Sequence, residues 1–246
     1  MSDKKGTLIL LSGKARSGKD TAGEVLVDVI DGHTEILAFA KPLKDAARLI
    51  YDLSDEQLYG DLKETKIEDM YQDNTVRLSR NARTDEESLT AFAIFINPSY
   101  KRFVDAGLFE IVDLRDERVT FRKYASPRTI LQDLGEAARD IYIETWVRKA
   151  WNHAVSLLEQ GHNAVITDCR HGNEAELLRK ARAMGHKAIG LYMKRDQAQS
   201  VASHISEKHE WLPDYEDVFV EMDNNGVGEE GLKDLKVRLE EVLGNA

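Results

Sequence analysis

Gly13, Lys14, Ala15, Arg16, Ser17, Gly18, Lys19, Asp20 and Thr21 run consecutively and fit the spacing G-x-x-x-x-G-K. Glycines at both ends of such a loop let backbone N–H groups turn inward around an anion, where a side chain would block the approach. A lysine directly after the second glycine can reach the β and γ phosphates of a nucleoside triphosphate and stabilise negative charge during phosphoryl transfer. Arg16 would lie over the same phosphates as a second cation. The competing reading is an ordinary glycine-rich turn. Context separates the two, because the motif needs a strand before it and a helix after it.

Both flanks are legible. Gly6-Thr-Leu-Ile-Leu-Leu-Ser12 is a β-prone apolar run that stops at Gly13, and an amphipathic stretch follows from about Lys19 to Ile30. The helix start adds partial positive charge to the loop. Where a Ser or Thr hydroxyl usually ligates Mg²⁺, directly after the lysine, stands Asp20, with Thr21 one place later. Asp20 can ligate the metal, act through a water, or serve as an acid favoured by the helix dipole; a metal or catalytic role is preferred.

The rest of the chain has to carry the partners of this loop. Residues 34–40 read as a second strand, and Pro42 opens a helix with Leu43, Ala46, Ala47, Leu49 and Ile50. Residues 54–125 are charged and lack a clean period, and an inserted helical lobe is expected there. Beyond Pro127, apolar residues at Ile130, Leu131, Leu134 and Ala138 share a helical face, and residues 141–158 read as a longer helix with Tyr142, Trp146 and Trp151 as core aromatics. Strand, helix and strand return at 163–167, 174–184 and 187–193, followed by a strand at 217–222, a turn at Asn224-Asn225-Gly226 and a helix at 232–243. This alternation predicts an α/β fold: one domain, a mostly parallel sheet of about five strands and helices on both faces.

Asp168 falls at the end of the 163–167 strand, where open α/β sheets place their ligands, and Arg170 and Glu174 cluster just after it. It can hold Mg²⁺ through water or bind a substrate; the alternative is an N-cap for the helix that follows. Arg128, next to a helix start, is opposed by the helix dipole and so points to an anionic partner. Lys194 and Arg195 follow a strand and can approach the triphosphate side, although solvated strand ends look the same. His204 and Glu207 share a helical face, but two ligands make no metal site on their own. Cys169 reads as a buried structural thiol.

Composition narrows the class. With one cysteine in 246 residues no intrachain disulfide can form, and the apolar runs are too short to span a bilayer. The first residues lack the pattern of a signal peptide, so a cytoplasmic location and no membrane partner are expected. Net charge is −10, yet residues 207–246 carry twelve acidic against four basic residues. A nucleic-acid polymer is therefore not the expected partner, whereas a small anion held by clustered bases is.

Leu11-Ser-Gly-Lys-Ala-Arg-Ser-Gly-Lys-Asp-Thr21 resembles the opening of the tailed-phage deoxynucleoside monophosphate kinases, a branch of the P-loop nucleoside monophosphate kinases. Further pieces match in order: Phe39-Ala-Lys-Pro-Leu-Lys-Asp45, Lys63-Glu-Thr65, Ser126-Pro-Arg-Thr-Ile-Leu-Gln-Asp-Leu-Gly135, Trp146-Val, Ile166-Thr-Asp-Cys-Arg170 with Glu174, and His204-Ile-Ser-Glu207. The resemblance implies transfer of the ATP γ-phosphoryl group to a deoxynucleoside monophosphate, with Mg²⁺, in a homodimer whose segment 196–213 acts as a lid. It implies acceptor contacts at Leu43, Lys44, Lys63, Arg128, Gly135, Asp168 and Arg170; Glu174, clustered with the last two, is a further substrate-side candidate, and Trp146, read as a core aromatic, has bordering the acceptor base as its alternative. Arg128 and Arg170 suit that role chemically, because a guanidinium can clamp a phosphate with two parallel hydrogen bonds. The alternatives are a kinase for another phosphorylated metabolite, such as dephospho-coenzyme A, and an ATPase or ATP-binding module without an acceptor.

Overall fold

The computed structural model describes residues 5–79, 82–196 and 209–244. In chain order they form β1 (Thr7–Ser12), α1 (Lys19–Val29), β2 (Thr34–Leu37), α2 (Ala40–Tyr51), α3 (Asp55–Leu58), β3 (Ile67–Arg77), α4 (Glu86–Ile96), α5 (Tyr100–Asp105), β4 (Phe109–Arg115) and β5 (Arg118–Ala125). There follow α6 (Pro127–Ile141), α7 (Thr145–Glu159), β6 (Asn163–Cys169), α8 (Gly172–Ala183), β7 (Lys187–Lys194), β8 (Phe219–Asp223) and α9 (Gly228–Gly244). The chain divides into two compact units, residues 1–43 with 139–246, and residues 44–138.

The first unit is built on a parallel sheet of order β2-β6-β1-β7-β8. Its central strands are buried on both faces, which is why β1 and β6 read as unbroken apolar runs. Along β1, Leu8 and Leu10 join one core with α7 and α8 residues such as Ala154, Leu158, Leu177 and Leu178. Ile9 and Leu11 join another with Ala22 and Leu26 of α1 and Leu235 and Leu239 of α9. Successive side chains of a strand point to opposite faces, so this split makes the unit three-layered, as expected. No helix among the described residues is long and apolar enough to cross a membrane.

The second unit departs from expectation. The predicted helical lobe contains α3, α4 and α5, but its centre is an antiparallel sheet of order β3-β5-β4. Val119 and Phe121 of β5 pack against Leu89 and Ala93 of α4 and Tyr100 of α5. The β4–β5 hairpin turns on Asp116 and Glu117, both left-handed at φ 52 and 58. A two-residue turn of that kind is normally signalled by Asn-Gly or Asp-Gly, and here no glycine marks it. The predicted 141–158 helix also changes: the chain breaks after Ile141 and α7 begins only at Thr145, which leaves Ile141, Tyr142 and Ile143 exposed, so Tyr142 is not a core aromatic. Trp151 does pack against the core.

Candidate active site

The loop from Gly13 to Gly18 is shaped from its carbonyls. Lys19 Nζ donates to the carbonyl oxygens of Gly13 at 2.8 Å and Lys14 at 2.7 Å, and Ser17 N–H donates to Lys14 O at 3.2 Å. Asn224 Nδ2 donates to Ser17 O at 2.8 Å, and Ala22 N–H to Gly18 O at 2.9 Å. In a trans peptide the next residue's N–H points opposite to the carbonyl. Tying these four carbonyls therefore also fixes the directions of the N–H groups of Lys14, Ala15, Gly18 and Lys19, each opposite its own carbonyl.

Backbone strain and crowding fit the same purpose. Gly13, Arg16 and Gly18 all have positive φ, at 137, 62 and 89. A Cβ on Gly13 would collide with the Met193 carbonyl, and one on Gly18 with the Asn224 amide. Gly18 caps α1 without any side-chain hydrogen bond, so the orphan N–H groups of the first turn are not answered by a capping side chain. The Ser17 hydroxyl is buried and makes no hydrogen bond among the described residues. Backbone donors of fixed orientation, an uncapped helix start, an orphaned hydroxyl and a lysine together suit a polyphosphate. Asp20 is exposed in the first turn of α1, and the described residues contain no group of three metal-ligating side chains. Asp20 is the carboxylate beside the loop that could hold a magnesium ion, with phosphate oxygens and water completing the set this ion favours.

The second cluster lies at the end of β6. Ser12 Oγ donates to Cys169 O at 2.8 Å and ties this strand end to the start of the phosphate loop. Asp168 accepts from Phe39 N–H at 2.7 Å through one oxygen and from Ala40 N–H at 2.9 Å through the other. It caps α2, whose first turn carries Leu43, and not α8, the helix that follows it in sequence. Glu174 is buried, and one of its oxygens accepts from both Arg170 N–H (2.6 Å) and His171 N–H (3.0 Å). Burial, reinforced by the nearby Asp168 charge, pushes its carboxyl up to about 8 against those two hydrogen bonds. Trp211 Nε1 donates to Arg170 O at 2.6 Å, so the Arg170 backbone is held from both sides while the side chain is exposed. Sequence reasoning missed Trp211. Cys169 is fully buried, and that burial raises its thiol pKa, in keeping with a structural role.

Beside the loop, Lys14 and Arg195 line a recess of 260 Å³ together with Tyr192, Met193, Lys194 and Asp196. This places Arg195 next to the phosphate loop. Trp146 is half-buried in the first turn of α7. Only Asp196 and residues 209–213 of the expected lid belong to the described residues; His204 and Glu207 lie outside them.

Within the second unit, Lys44 sits with its ammonium 4.1 Å from the centre of the Tyr59 ring. Arg128, in the first turn of α6, forms an ion pair with Glu64, the neighbour of Lys63. The Lys63-Glu-Thr65 piece and the Arg128 piece thus meet across 64 residues. Gly135 is buried on the same helix. A family model described as deoxynucleotide monophosphate kinase matches residues 7–230. No curated protein gives a significant match.

Proposed function

The chain belongs to the deoxynucleotide monophosphate kinase family, and from that premise we propose that it moves the γ-phosphoryl group of ATP to the 5′-phosphate of a deoxynucleoside monophosphate. An oxygen of the acceptor phosphate bonds to the γ-phosphorus, the bond from that phosphorus to the β–γ bridging oxygen breaks, and ADP and the deoxynucleoside diphosphate leave. The observation that supports the donor side is the phosphate loop, in which four carbonyls are tied, so that the peptide planes bearing its N–H groups are fixed before an anion arrives.

Phosphoryl transfer asks a protein mainly for positioning and charge neutralisation. In this reading Gly13, Lys14, Ala15, Arg16, Ser17, Gly18, Lys19, Asp20 and Thr21 bind the triphosphate, with Lys19 and Arg16 supplying the cations nearest the moving group. Two loop carbonyls hold the Lys19 ammonium at the loop, which supports this role. Asp20 would hold Mg²⁺, which when bound would add further neutralisation of the triphosphate. Arg195 flanks the donor. Arg170 clamps the acceptor phosphate, and Lys44, Lys63, Arg128, Gly135, Leu43 and Trp146 make up the rest of the acceptor side. Asp168 and Glu174 act as positioning groups, since their carboxyl oxygens hold backbone at the start of α2 and at Arg170.

The test is ADP release by the purified protein with ATP and Mg²⁺, without acceptor and with each deoxynucleoside and ribonucleoside monophosphate in turn. ADP formed only with particular deoxynucleoside monophosphates is expected. Release at the same rate without acceptor would make the protein an ATPase and refute the reading.

A further inference from the structure

We propose that Asn224 is a positioning residue for the phosphate loop, acting through the Ser17 carbonyl to aim the Gly18 N–H at a bound polyphosphate. The proposal rests on the phosphate-loop reading and adds a residue from the far end of the chain, in the Asn224-Asn225-Gly226 turn.

Three observations carry it. Asn224 immediately follows β8, and its N–H donates to Lys194 O at 2.8 Å, which extends the β7–β8 pairing by one residue and fixes its backbone. Its carboxamide Nδ2 donates to Ser17 O at 2.8 Å across 207 residues of sequence. Gly18 is at φ 89, and any Cβ there would strike that same carboxamide, so the close approach of amide to loop is built into both partners. The turn is stiffened by its neighbour: Asn225 Oδ1 accepts from Asp196 N–H at 2.9 Å, and Asn225 Nδ2 donates to Asp223 at 2.7 Å.

The physical consequence concerns one peptide plane. The Ser17–Gly18 peptide is trans, so holding its carbonyl on Asn224 holds the Gly18 N–H pointing the opposite way, out from the carboxamide. The Ser17 side chain offers no substitute hold, since its hydroxyl makes no hydrogen bond among the described residues. Without the carboxamide this plane is free to rotate, and a bound phosphate must then order it at its own cost.

The experiment compares wild type, Asn224→Ala and Asn224→Asp for binding of inorganic tripolyphosphate by calorimetry, for the thermal unfolding midpoint, and for steady-state kinetics. Tripolyphosphate reads the loop without base, sugar or acceptor. Asn224→Ala is expected to weaken it about fivefold to tenfold, the worth of one hydrogen bond. Asn224→Asp, whose carboxylate cannot donate to the carbonyl, should weaken it at least as much. The unfolding midpoint should stay close to wild type, and in kinetics kcat and the KM for ATP should change while the acceptor KM does not.

Equal tripolyphosphate binding by wild type and Asn224→Ala overturns the proposal and leaves the kinase reading intact. So does weakening accompanied by a lowered midpoint and an equally raised acceptor KM, which signals general loosening. Wild type that binds tripolyphosphate, with the expected loss in both variants, but phosphorylates no acceptor supports Asn224 and sinks the kinase reading. Wild type that binds no tripolyphosphate overturns both.

Discussion

Replacing Glu174 by glutamine should remove a pH dependence of stability that the wild type shows between about pH 5 and 8. The carboxyl is buried, and its pKa rises from 4.5 to about 8 in the folded protein, chiefly because burial disfavours the charge. An acid with a raised folded-state pKa keeps its proton in the native state while losing it in the unfolded chain. Over this window the native state binds more protons, so stability falls as pH rises, by up to about 1.4 kcal/mol per pH unit for one group. Summed over the shift, the loss is of order 4–5 kcal/mol, complete only above the folded pKa. Glutamine keeps the useful part of the interaction, because both N–H groups bond to a single oxygen that an amide carbonyl can replace. Urea unfolding of both proteins at pH 6, 7, 8 and 9 reads this directly. The wild-type free energy should decline across the series while the variant's declines less, so that Glu174→Gln becomes the more stable protein at pH 9. Parallel curves would show that Glu174 does not titrate in this window and that its burial does not hold the proton.

Asp168→Asn should destabilise the fold by about 2–3 kcal/mol, because one amide N–H then faces a backbone N–H at the start of α2; denaturant midpoints check it. Lys19→Ala should lower kcat by about 10²-fold or more, with a cooperative unfolding transition retained, as removal of one charge-stabilising donor does elsewhere; an active variant would sink the phosphate-loop assignment. Arg170→Ala should raise the acceptor KM or lower kcat far more than it weakens ATP binding, and equal loss of both would move Arg170 to the donor side. Asp20→Ser should shift the Mg²⁺ dependence of the rate if the carboxylate ligates the ion, whereas unchanged kinetics would leave Asp20 as a helix-start acid.

What the sequence disclosed follows the reach of each interaction. The phosphate loop and its flanks occupy fewer than thirty contiguous residues, and strand, glycines, lysine and helix each leave a local signature there. The parallel sheet was legible for a similar reason, since strands buried on both faces must be apolar throughout. The antiparallel sheet of residues 44–138 was not. Its edge strand β3 is largely exposed and reads as a polar stretch, Ile-Glu-Asp-Met-Tyr-Gln-Asp-Asn-Thr-Val-Arg, and its hairpin turns on Asp116-Glu117 without glycine. Asp168 was recognised as a capping or functional acid, but the helix it caps lies 128 residues earlier, and no local pattern reports that pairing. Asn224 sat in a turn recognisable from its Asn-Asn-Gly composition, whereas its partner Ser17 could be known only from the fold.

These long-range ties share one physical form. Asn224 holds the Ser17 carbonyl, Ser12 holds Cys169, Asp168 holds the start of α2, and Glu174 and Trp211 hold the two ends of Arg170. Each is a side chain spent on a backbone group, and each lies within one or two residues of a proposed binding group or on a helix that carries one. Main-chain donors bind an anion well only if they do not have to be reoriented when it arrives. A loop with three left-handed residues, Gly13, Arg16 and Gly18, does not keep such an orientation by itself, because those conformations are sparsely populated unless the surroundings impose them. The ties impose them. It follows that substitutions in these supporting side chains should resemble losses of the binding groups they serve: Asn224→Ala should act like damage to the triphosphate site, and Glu174→Ala like damage to Arg170. A core variant in the parallel sheet, such as Leu10→Ala, should instead lower stability without separating the two substrates.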